Sequence, residues 1–332
     1  MSHDEKIAYD FVMVSLSISI IILVVLLFII CKKKKPVKST ESLPTKLCAC
    51  PYTLMDIHAA TDGFNHRRVI GKGRLGMTYA GVLSRGEIVV VKRIHPHLVL
   101  RNAGFGFSSI LKWLSLAYHP HVVPIFGFSE APGERIIVME FVGMMSLEFY
   151  LHQNPDSAIL LDWGRRVKIA AGVARGLEYL HEVMAPHIVH GCIKPSNILL
   201  DVKFSARVCD YGLSFLAPHE KQGLVGYVDE EYWVGKRGAS KETDVYGVGV
   251  VLLELLSGRR SEEGLIVKWA LPLIKEMKIG ELLDSRIVIP SDMKPLVRLA
   301  KVALACVGNS RKNRPSIVQV ATILNNLEME PC

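Results

Sequence analysis

The stretch that decides the fold is residues 188–200, IVHGCIKPSNILL, with Asp210-Tyr211-Gly212 beginning ten positions after Leu200. It places a histidine, a lysine, an asparagine and an aspartate at fixed spacing between short apolar runs. Polar residues on loops that a packed scaffold holds in place are common at functional sites. The residues on either side of this stretch decide how it is interpreted.

Upstream, Gly71-x-Gly73-x-x-Gly76 lies in a predicted strand pair. This spacing alone also suits a dinucleotide site, but there a helix follows the glycines, whereas here a strand and a turn at 84–86 follow. Lys92 ends an apolar run sixteen positions after Gly76. Glycines let a loop close over phosphates, and a lysine held on a strand can reach phosphate oxygens. The alternative for Lys92 is an ordinary lysine at a strand end.

The order of predicted elements indicates an α+β architecture. Strand patterns occupy the chain to about residue 142, and long helical patterns follow, such as 162–184 and 243–258. We therefore predict a β-rich small lobe over 64–142, a helical large lobe over 143–328 and a short tail over 329–332, with a cleft between the lobes.

Taken together, the motifs resemble a eukaryotic protein kinase of the plant receptor-like, Pelle-related type. The specific likeness lies in ATDGF at 60–64, LDWGRRVKIAAGVARGLEYLHE at 161–182, KETDVYGVGVVLLELLSGRR at 241–260 and RKNRPSIVQVATIL at 311–324. The resemblance covers about residues 52–327 and implies the bilobal protein-kinase fold.

The resemblance also implies roles for individual residues. ATP and magnesium would be the cofactors, with Asn197 and Asp210 as the metal ligands. Met139 would close the back of the cleft, Asp244 would support the catalytic loop, and Glu231 would pair with Arg314. The implied nucleotide-binding residues are Ile70, Gly71, Gly73, Gly76, Thr78, Lys92, Glu140, Val142 and Lys194.

The catalytic residue itself is replaced. Kinases read His-Arg-Asp where this chain has His190-Gly191-Cys192, and the missing aspartate orients the substrate hydroxyl and accepts its proton. A thiol with a reference pKa of about 8.5 is mostly neutral at pH 7. General-base catalysis contributes roughly 10²–10⁴-fold. Cys192 is therefore predicted to be an inert thiol; the alternative, a reactive thiolate, has no activating base in any motif.

A second replacement affects Lys92. Kinases place a glutamate on the small-lobe helix to pair with this lysine, but no Asp or Glu occurs between Glu87 and Glu130. Ile110 stands at the matching position, so Lys92 lacks its usual partner. Val90 replaces a small alanine beside the adenine and would crowd the base.

The usual activation switch is depleted as well. Leu224 stands where a threonine is common, and 229–231 read Asp-Glu-Glu in place of Ala-Pro-Glu. Ser214 and Tyr227 are the only side-chain hydroxyls between Gly212 and Glu231. Gly191 replaces the arginine that commonly receives an activating phosphate.

A membrane anchor is predicted at the amino terminus. Residues 11–30 read FVMVSLSISIIILVVLLFII without a charge, long enough at 1.5 Å per residue to span about 30 Å. We assign a transmembrane helix to 11–31, a short extracellular tail to 1–10 and a juxtamembrane linker to 32–63. The lysines at 32–35 favour a cytoplasmic carboxyl-terminal side. A cleaved signal peptide is disfavoured because acidic residues precede the apolar run.

The basic run and Cys31 have open interpretations. The lysines serve as a stop-transfer signal, attract anionic lipids, or do both. Cys31 is either a palmitoylation site or a plain apolar residue. The net charge of +8 includes five lysines within 32–38, so the excess is local and nucleic-acid binding is not expected. The seven cysteines show no paired metal-ligand spacing.

The sequence thus predicts a single-pass pseudokinase with its kinase-like domain in the cytoplasm, at the plasma membrane by preference. It would act as a scaffold or allosteric partner of active receptor-like kinases in signal transduction and bind ATP weakly at most. The alternative function is a weak or unconventional serine/threonine protein kinase, motivated by the retained Lys92, Asn197 and Asp210.

Overall fold

The structure is a computed structural model. It describes residues 48–102, 106–143, 145–154, 160–217, 221, 223–234, 238–261 and 264–330. The predicted extracellular tail, the transmembrane helix, Cys31 and the first part of the predicted linker lie outside these residues. None of the helices within the described ranges is both long and apolar enough to cross a membrane.

A six-stranded sheet forms the small lobe, in the order β1-β5-β6-β4-β3-β2. All neighbouring strands run antiparallel except β1 and β5, which are parallel. Side chains alternate between the two faces of a strand. Consecutive apolar residues therefore give the sheet two apolar faces. The strands are β1 (Cys50–Pro51), β2 (Val69–Lys72), β3 (Gly76–Val82), β4 (Ile88–Ile94), β5 (Ile125–Ala131) and β6 (Glu134–Glu140).

The alternation in β4 divides the apolar residues of the small lobe between two cores. Val89 and Val91 face one cluster, which also contains Ile57 of helix α1 (Leu54–Thr61). Val90 and Ile94 face the larger core, which continues into the large lobe. The sheet is therefore covered on both sides, which explains the nearly continuous apolar sequence of β4.

The second part of the predicted linker packs against the small lobe. Thr53 caps α1 by a reciprocal hydrogen-bonded box with Asp56. Ahead of it, the buried Ala49 donates its backbone N–H to the Ser115 hydroxyl at 2.9 Å. Ser115 follows helix α3 (Phe107–Leu114), so the chain entering the domain is fastened to a small-lobe helix. A shorter helix, α2 (Pro96–Arg101), precedes α3.

The large lobe is helical and centres on α6, whose apolar sequence on all sides makes it a core helix. Ser240 caps its first turn, and Gly258 ends it at a φ of +66°. The remaining helices surround it, and a short antiparallel hairpin faces the small lobe. These elements are α4 (Trp163–Glu178), β7 (Ile198–Leu200), β8 (Ala206–Val208), α5 (Glu230–Trp233), α6 (Lys241–Ser257), α7 (Leu265–Lys275), α8 (Ile279–Leu282), α9 (Lys294–Cys306) and α10 (Ile317–Met329).

The predicted α+β fold with a β-rich small lobe and a helical large lobe is confirmed. The two lobes share one large apolar core through residues such as Leu75 and Leu98 on one side and Leu213 and Leu216 on the other. The residues singled out at 188–212 lie around the β7–β8 hairpin, where the small lobe meets the large one.

Candidate functional site

The three glycines of the first motif lie in the β2–β3 hairpin but differ in their surroundings. Gly73 and Gly76 exchange backbone hydrogen bonds of 3.0 and 3.2 Å. A Cβ at Gly76 would collide with the Arg93 carbonyl oxygen, so this position requires glycine for packing. A Cβ at Gly71 would make an ordinary contact of 3.8 Å with the Thr78 Cβ, and Gly73 has open space around it. These two glycines remain able to approach a ligand.

Lys92 lies in the centre of the sheet, where it was predicted. Thr78 is its cross-strand neighbour, and Gly71 is in turn the neighbour of Thr78. Ile70, directly before Gly71 on β2, is 50% exposed. The strands therefore place Gly71, Thr78 and Lys92 in one row across the sheet.

The lysine is not left without an acidic partner. Its Nζ forms an ion pair with Asp210 Oδ2, and both side chains are almost fully buried. Burial alone raises the pKa of Asp210, but the Lys92 ammonium outweighs it and the net shift is downward. The sequence correctly showed that no helix carboxylate is available, yet missed that Asp210, the implied metal ligand, takes that place.

Helix α3 carries Ile110 at the position of the missing glutamate. Its side chain is half-buried and packs against the main core. Helix α3 is thus positioned by apolar packing, whereas Lys92 is positioned by its ion pair with Asp210 of the large lobe.

The implied metal ligands lie at the two ends of the β7–β8 hairpin: Asn197 directly precedes β7, and Asp210 follows β8 by two residues. Asn197 donates its amide N–H to the Cys192 carbonyl at 2.9 Å. Asp210, at a φ of +63°, keeps its second oxygen, Oδ1, buried and without a hydrogen-bond partner among the described residues. Carboxylate and amide oxygens fit a magnesium ion. Within the described ranges no cluster of three His, Cys, Asp or Glu would hold a metal, so magnesium would depend on these two residues and on phosphate oxygens.

Cys192 occupies the catalytic-base position and is 6% exposed. It forms an apolar cluster with Leu224, Val228 and Tyr232 from the following loop and helix α5. Burial raises the pKa of the Cys192 thiol, which keeps it neutral. A neutral thiol in apolar surroundings has no capacity to accept a substrate proton at pH 7.

The backbone next to Cys192 is held by Asp244, as the resemblance implied. Its carboxylate accepts hydrogen bonds from the backbone N–H groups of His190 and Gly191, both at 2.7 Å, and lies 2.8 Å from His181 Nε2. Gly191 has a φ of +81°, and a Cβ there would lie 2.7 Å from Ser214 Oγ. An arginine at this position would therefore require the Ser214 segment to move.

Lys194 contacts the chain itself: its Nζ donates to the Gly223 carbonyl at 3.0 Å. At the hinge, residues 139–142 at the end of β6 that lead from the small lobe to the large one, Met139 and Val90 are both buried and are cross-strand neighbours. Val142 is buried as well. The retained lysine and the wall beside the adenine site are therefore packed against protein groups.

The hinge also contains an ion pair that the sequence did not suggest. Arg207 on β8 contacts both carboxylate oxygens of Glu140 at 2.7 Å. Such bidentate geometry is specific to arginine. It joins the strand end that carries the implied adenine contacts to the large lobe. No sequence pattern reveals this pair, because the residues are 67 positions apart.

Arg314 pairs with Asp229, two positions before the partner that the resemblance implied. Arg311 contacts the same carboxylate at 2.7 and 2.8 Å and donates its backbone N–H to Glu231 at 3.2 Å. Burial alone would raise the pKa of Asp229, but the hydrogen bonds from Arg311 and Arg314 have the larger effect, so the net pKa is lowered. The acidic stretch at 229–231 thus anchors the end of the activation segment.

A family profile for the protein kinase domain matches residues 64–321. The chain is 34% identical over 295 residues to a PTI1-like tyrosine-protein kinase of Arabidopsis thaliana, covering 84% of this chain and 81% of that one. The same plant's serine/threonine-protein kinase-like protein CCR2 and proline-rich receptor-like protein kinase PERK1 are each 34% identical, over 279 and 296 residues. Those matches cover 82% of this chain but only 34% and 44% of the relatives.

A solved structure is also similar. It is the pseudokinase domain of BIR2, described as an immune regulator of the RLK/Pelle family. The TM-score is 0.67 at 32% sequence identity, and the match covers 82% of this chain and 85% of that one.

Proposed function

The chain belongs to the protein kinase domain family and is related to plant receptor-like kinases, and on that premise we propose that it is a membrane-anchored pseudokinase. It acts as a scaffold or allosteric partner of active receptor-like kinases in signal transduction. The proposal includes the anchor at 11–31, a cytoplasmic kinase-like domain and the plasma membrane as its location.

The observation that carries the proposal is the apolar cluster around Cys192. In a kinase this position holds the carboxylate that orients the substrate hydroxyl. Here the thiol is buried against Leu224, Val228 and Tyr232, and its pKa is raised by burial. A carboxylate there would be charged among apolar side chains, which is costly. The surroundings are thus adapted to the absence of a base.

The positive side chains of the cleft have protein acceptors. Lys92 is paired with Asp210, and Lys194 donates to the Gly223 carbonyl. Positioning and charge neutralisation by such cations provide most of the catalysis in phosphoryl transfer. ATP with magnesium would have to replace both contacts, so we expect weak nucleotide binding at most.

The two hydroxyl side chains of the described activation segment, Ser214 and Tyr227, are both partly buried. Tyr227 donates its hydroxyl to Glu254 Oε1 at 2.7 Å, and burial raises the pKa of the phenol. Ser214 lies against Gly191. A phosphorylation switch of the usual kind would require both side chains to leave these positions.

Radiolabelled phosphate transfer tests the proposal. The full chain in detergent is incubated with labelled ATP and magnesium or manganese, beside Asp210→Asn, which keeps the side-chain volume. We expect equal background labelling of both proteins and of a general kinase substrate. Incorporation by the wild-type chain that disappears in Asp210→Asn would overturn the proposal.

The second candidate function is a weak or unconventional serine/threonine kinase. It is favoured by Asp210 Oδ1, which has no hydrogen-bond partner among the described residues and could accept a cation. A missing base slows phosphoryl transfer without abolishing it in principle. The same assay, extended to long incubation, separates this candidate from the pseudokinase.

Nucleotide binding and partnership need separate measurements. A thermal-shift titration to millimolar ATP with magnesium measures binding, since a ligand at 100 times its Kd stabilises by about 2.7 kcal/mol. Proximity labelling by the full chain in membranes identifies neighbours. Recovery of active receptor-like kinases is expected, and a neighbour set without kinases or receptors would contradict the scaffold role.

A further inference from the structure

The segment directly after Asp210-Tyr211-Gly212 contacts two different elements of the small lobe. A short 3₁₀ helix, Ser214–Leu216, is followed by Ala217. Arg74, in the glycine loop, donates from Nη1 to the Ala217 carbonyl at 2.6 Å. Asn102, at the end of α2, donates from Nδ2 to the Leu216 carbonyl at 2.9 Å. Two consecutive carbonyls are thus bound by two separate small-lobe side chains.

These contacts lie in a packed interface. Leu216 and Ala217 are 3% and 1% exposed. Leu75, next to Arg74 at the tip of the glycine loop, is buried in the same core cluster. The Leu75 carbonyl also accepts the backbone N–H of His95 at 2.9 Å. Leu75 therefore anchors the tip of the glycine loop in the protein core.

The chemistry of the two carbonyls explains the contacts. The last carbonyl oxygens of a helical turn find no N–H donor within the turn and accept hydrogen bonds from elsewhere. The guanidinium of Arg74 and the amide of Asn102 supply these donors. Asn102 also donates to Leu98 in its own helix at 2.8 Å, which fixes the direction of its amide. Both hydrogen bonds form only when the small lobe is packed against the large lobe, because the donors and the acceptors lie on different lobes.

We propose that Ser214–Ala217 acts as an internal clamp, latched by Arg74 and Asn102, that holds the glycine loop and α2 down on the large lobe. The clamp rests on the proposed function, because it regulates the same cleft. While it is latched, the tip of the glycine loop is held against the large lobe. Release of the two side chains frees the loop to receive a ligand or a partner.

Hydrogen exchange measured by mass spectrometry on the full chain in detergent tests the clamp. The amides of Leu216 and Ala217 are bonded within the segment, to Leu213 and Ser214 at 3.1 and 3.2 Å. We expect these amides to exchange at least tenfold faster in Arg74→Met and in Asn102→Ala. Arg101→Ala, which changes an exposed side chain on the same helix, is expected to exchange at the wild-type rate.

Two further measurements keep the test decisive. Exchange in α4 reports global unfolding and must stay at the wild-type rate; if it rises in Arg74→Met, Asn102→Ala alone decides the test. Arg74→Lys, which retains a donor, is the conservative control and is expected to exchange near the wild-type rate at Ala217. Wild-type exchange at Leu216 and Ala217 in both latch variants would show that there is no clamp. This result is independent of phosphate transfer, so the clamp and the absence of catalysis fail or succeed separately.

Discussion

The two sides of the loop at residues 190–192 are built in opposite ways. On one side the buried Asp244 binds the backbone of His190 and Gly191 through hydrogen bonds. On the other side Cys192 joins an apolar cluster with no charged member. Buried backbone N–H groups need partners whatever chemistry the loop performs. The hydrogen bonds to Asp244 are therefore required for folding whether or not the protein is catalytic. Only the apolar surroundings of Cys192 bear on catalysis.

The largest expected effect comes from removing the polar side. Asp244→Ala leaves buried donors on His190, Gly191 and His181 without an acceptor, and the predicted loss in the free energy of unfolding is about 3–5 kcal/mol. Urea denaturation of the full chain in detergent measures it. Glu281→Gln, on an exposed side chain, is the matched control and should change stability by less than about 0.5 kcal/mol. A small loss for Asp244→Ala would break the comparison.

A smaller but still large effect is expected when the apolar side is made acidic. Cys192→Asp restores the kinase residue but puts a carboxylate among Leu224, Val228 and Tyr232. We predict a loss of roughly 2–4 kcal/mol at pH 7 and no recovery of phosphate transfer.

The matched variant for this experiment is Cys192→Ala, which keeps the cluster apolar and should cost only about 1 kcal/mol. Wild-type stability together with phosphate transfer by Cys192→Asp would show that the cluster is not committed to an inert residue.

Acid should destabilise the protein by protonating buried carboxylates such as Asp284, and it should not affect the apolar cluster around Cys192. Asp284 accepts hydrogen bonds from Arg166 at 2.6 Å and from Arg286 at 2.8 Å. Burial raises the pKa of Asp284, but these arginines lower it to about 2. Because the folded pKa is below the unfolded value, the stabilisation is complete above about pH 4 and is lost as the pH falls towards 2.

From this shift we expect about 2 kcal/mol of stability to depend on the Asp284 carboxylate. Denaturation midpoints between pH 5 and pH 2 measure the dependence. In Asp284→Asn this part of the slope should disappear, whereas Cys192→Ala should retain it. An unchanged acid profile in Asp284→Asn would assign the loss to other carboxylates.

The smallest expected effect concerns the wall of the cleft. Val90 is 8% exposed and faces the side where adenine would lie. Val90→Ala should cost about 1 kcal/mol in stability and increase ATP affinity if crowding limits binding. Isothermal titration with ATP and magnesium measures the change. Val89→Ala, on the opposite face of the same strand, is the control, and equal affinity of the two variants would remove crowding as the cause.

Much of the site followed from the sequence because its motifs are local. The glycine hairpin and the strand lysine depend on spacing within or next to one element, and the structure places them there. The support by Asp244, which reaches 54 and 53 positions back to His190 and Gly191, was expected from the resemblance alone. Substitutions such as Cys192 were equally visible, since they stand inside those motifs.

Contacts across the cleft did not follow in the same way. The Lys92–Asp210 ion pair joins residues 118 positions apart, and its formation depends on which carboxylate the folded lobes bring within reach. The Arg314–Asp229 ion pair joins residues 85 positions apart, and the Ala49–Ser115 hydrogen bond joins residues 66 positions apart. Side-chain partners of this kind are decided by tertiary packing, which residue types alone do not specify.

The Arg207–Glu140 pair at the hinge affects how the whole domain can move. With both carboxylate oxygens engaged, the strand end at Glu140 cannot rotate relative to the hairpin without breaking two charged hydrogen bonds at once. Both side chains reach solvent, at 16% and 33% exposure, so dissolved ions weaken the attraction. Movement of the small lobe relative to the large lobe is therefore expected to become easier at high ionic strength, to the extent that this exposed ion pair resists it.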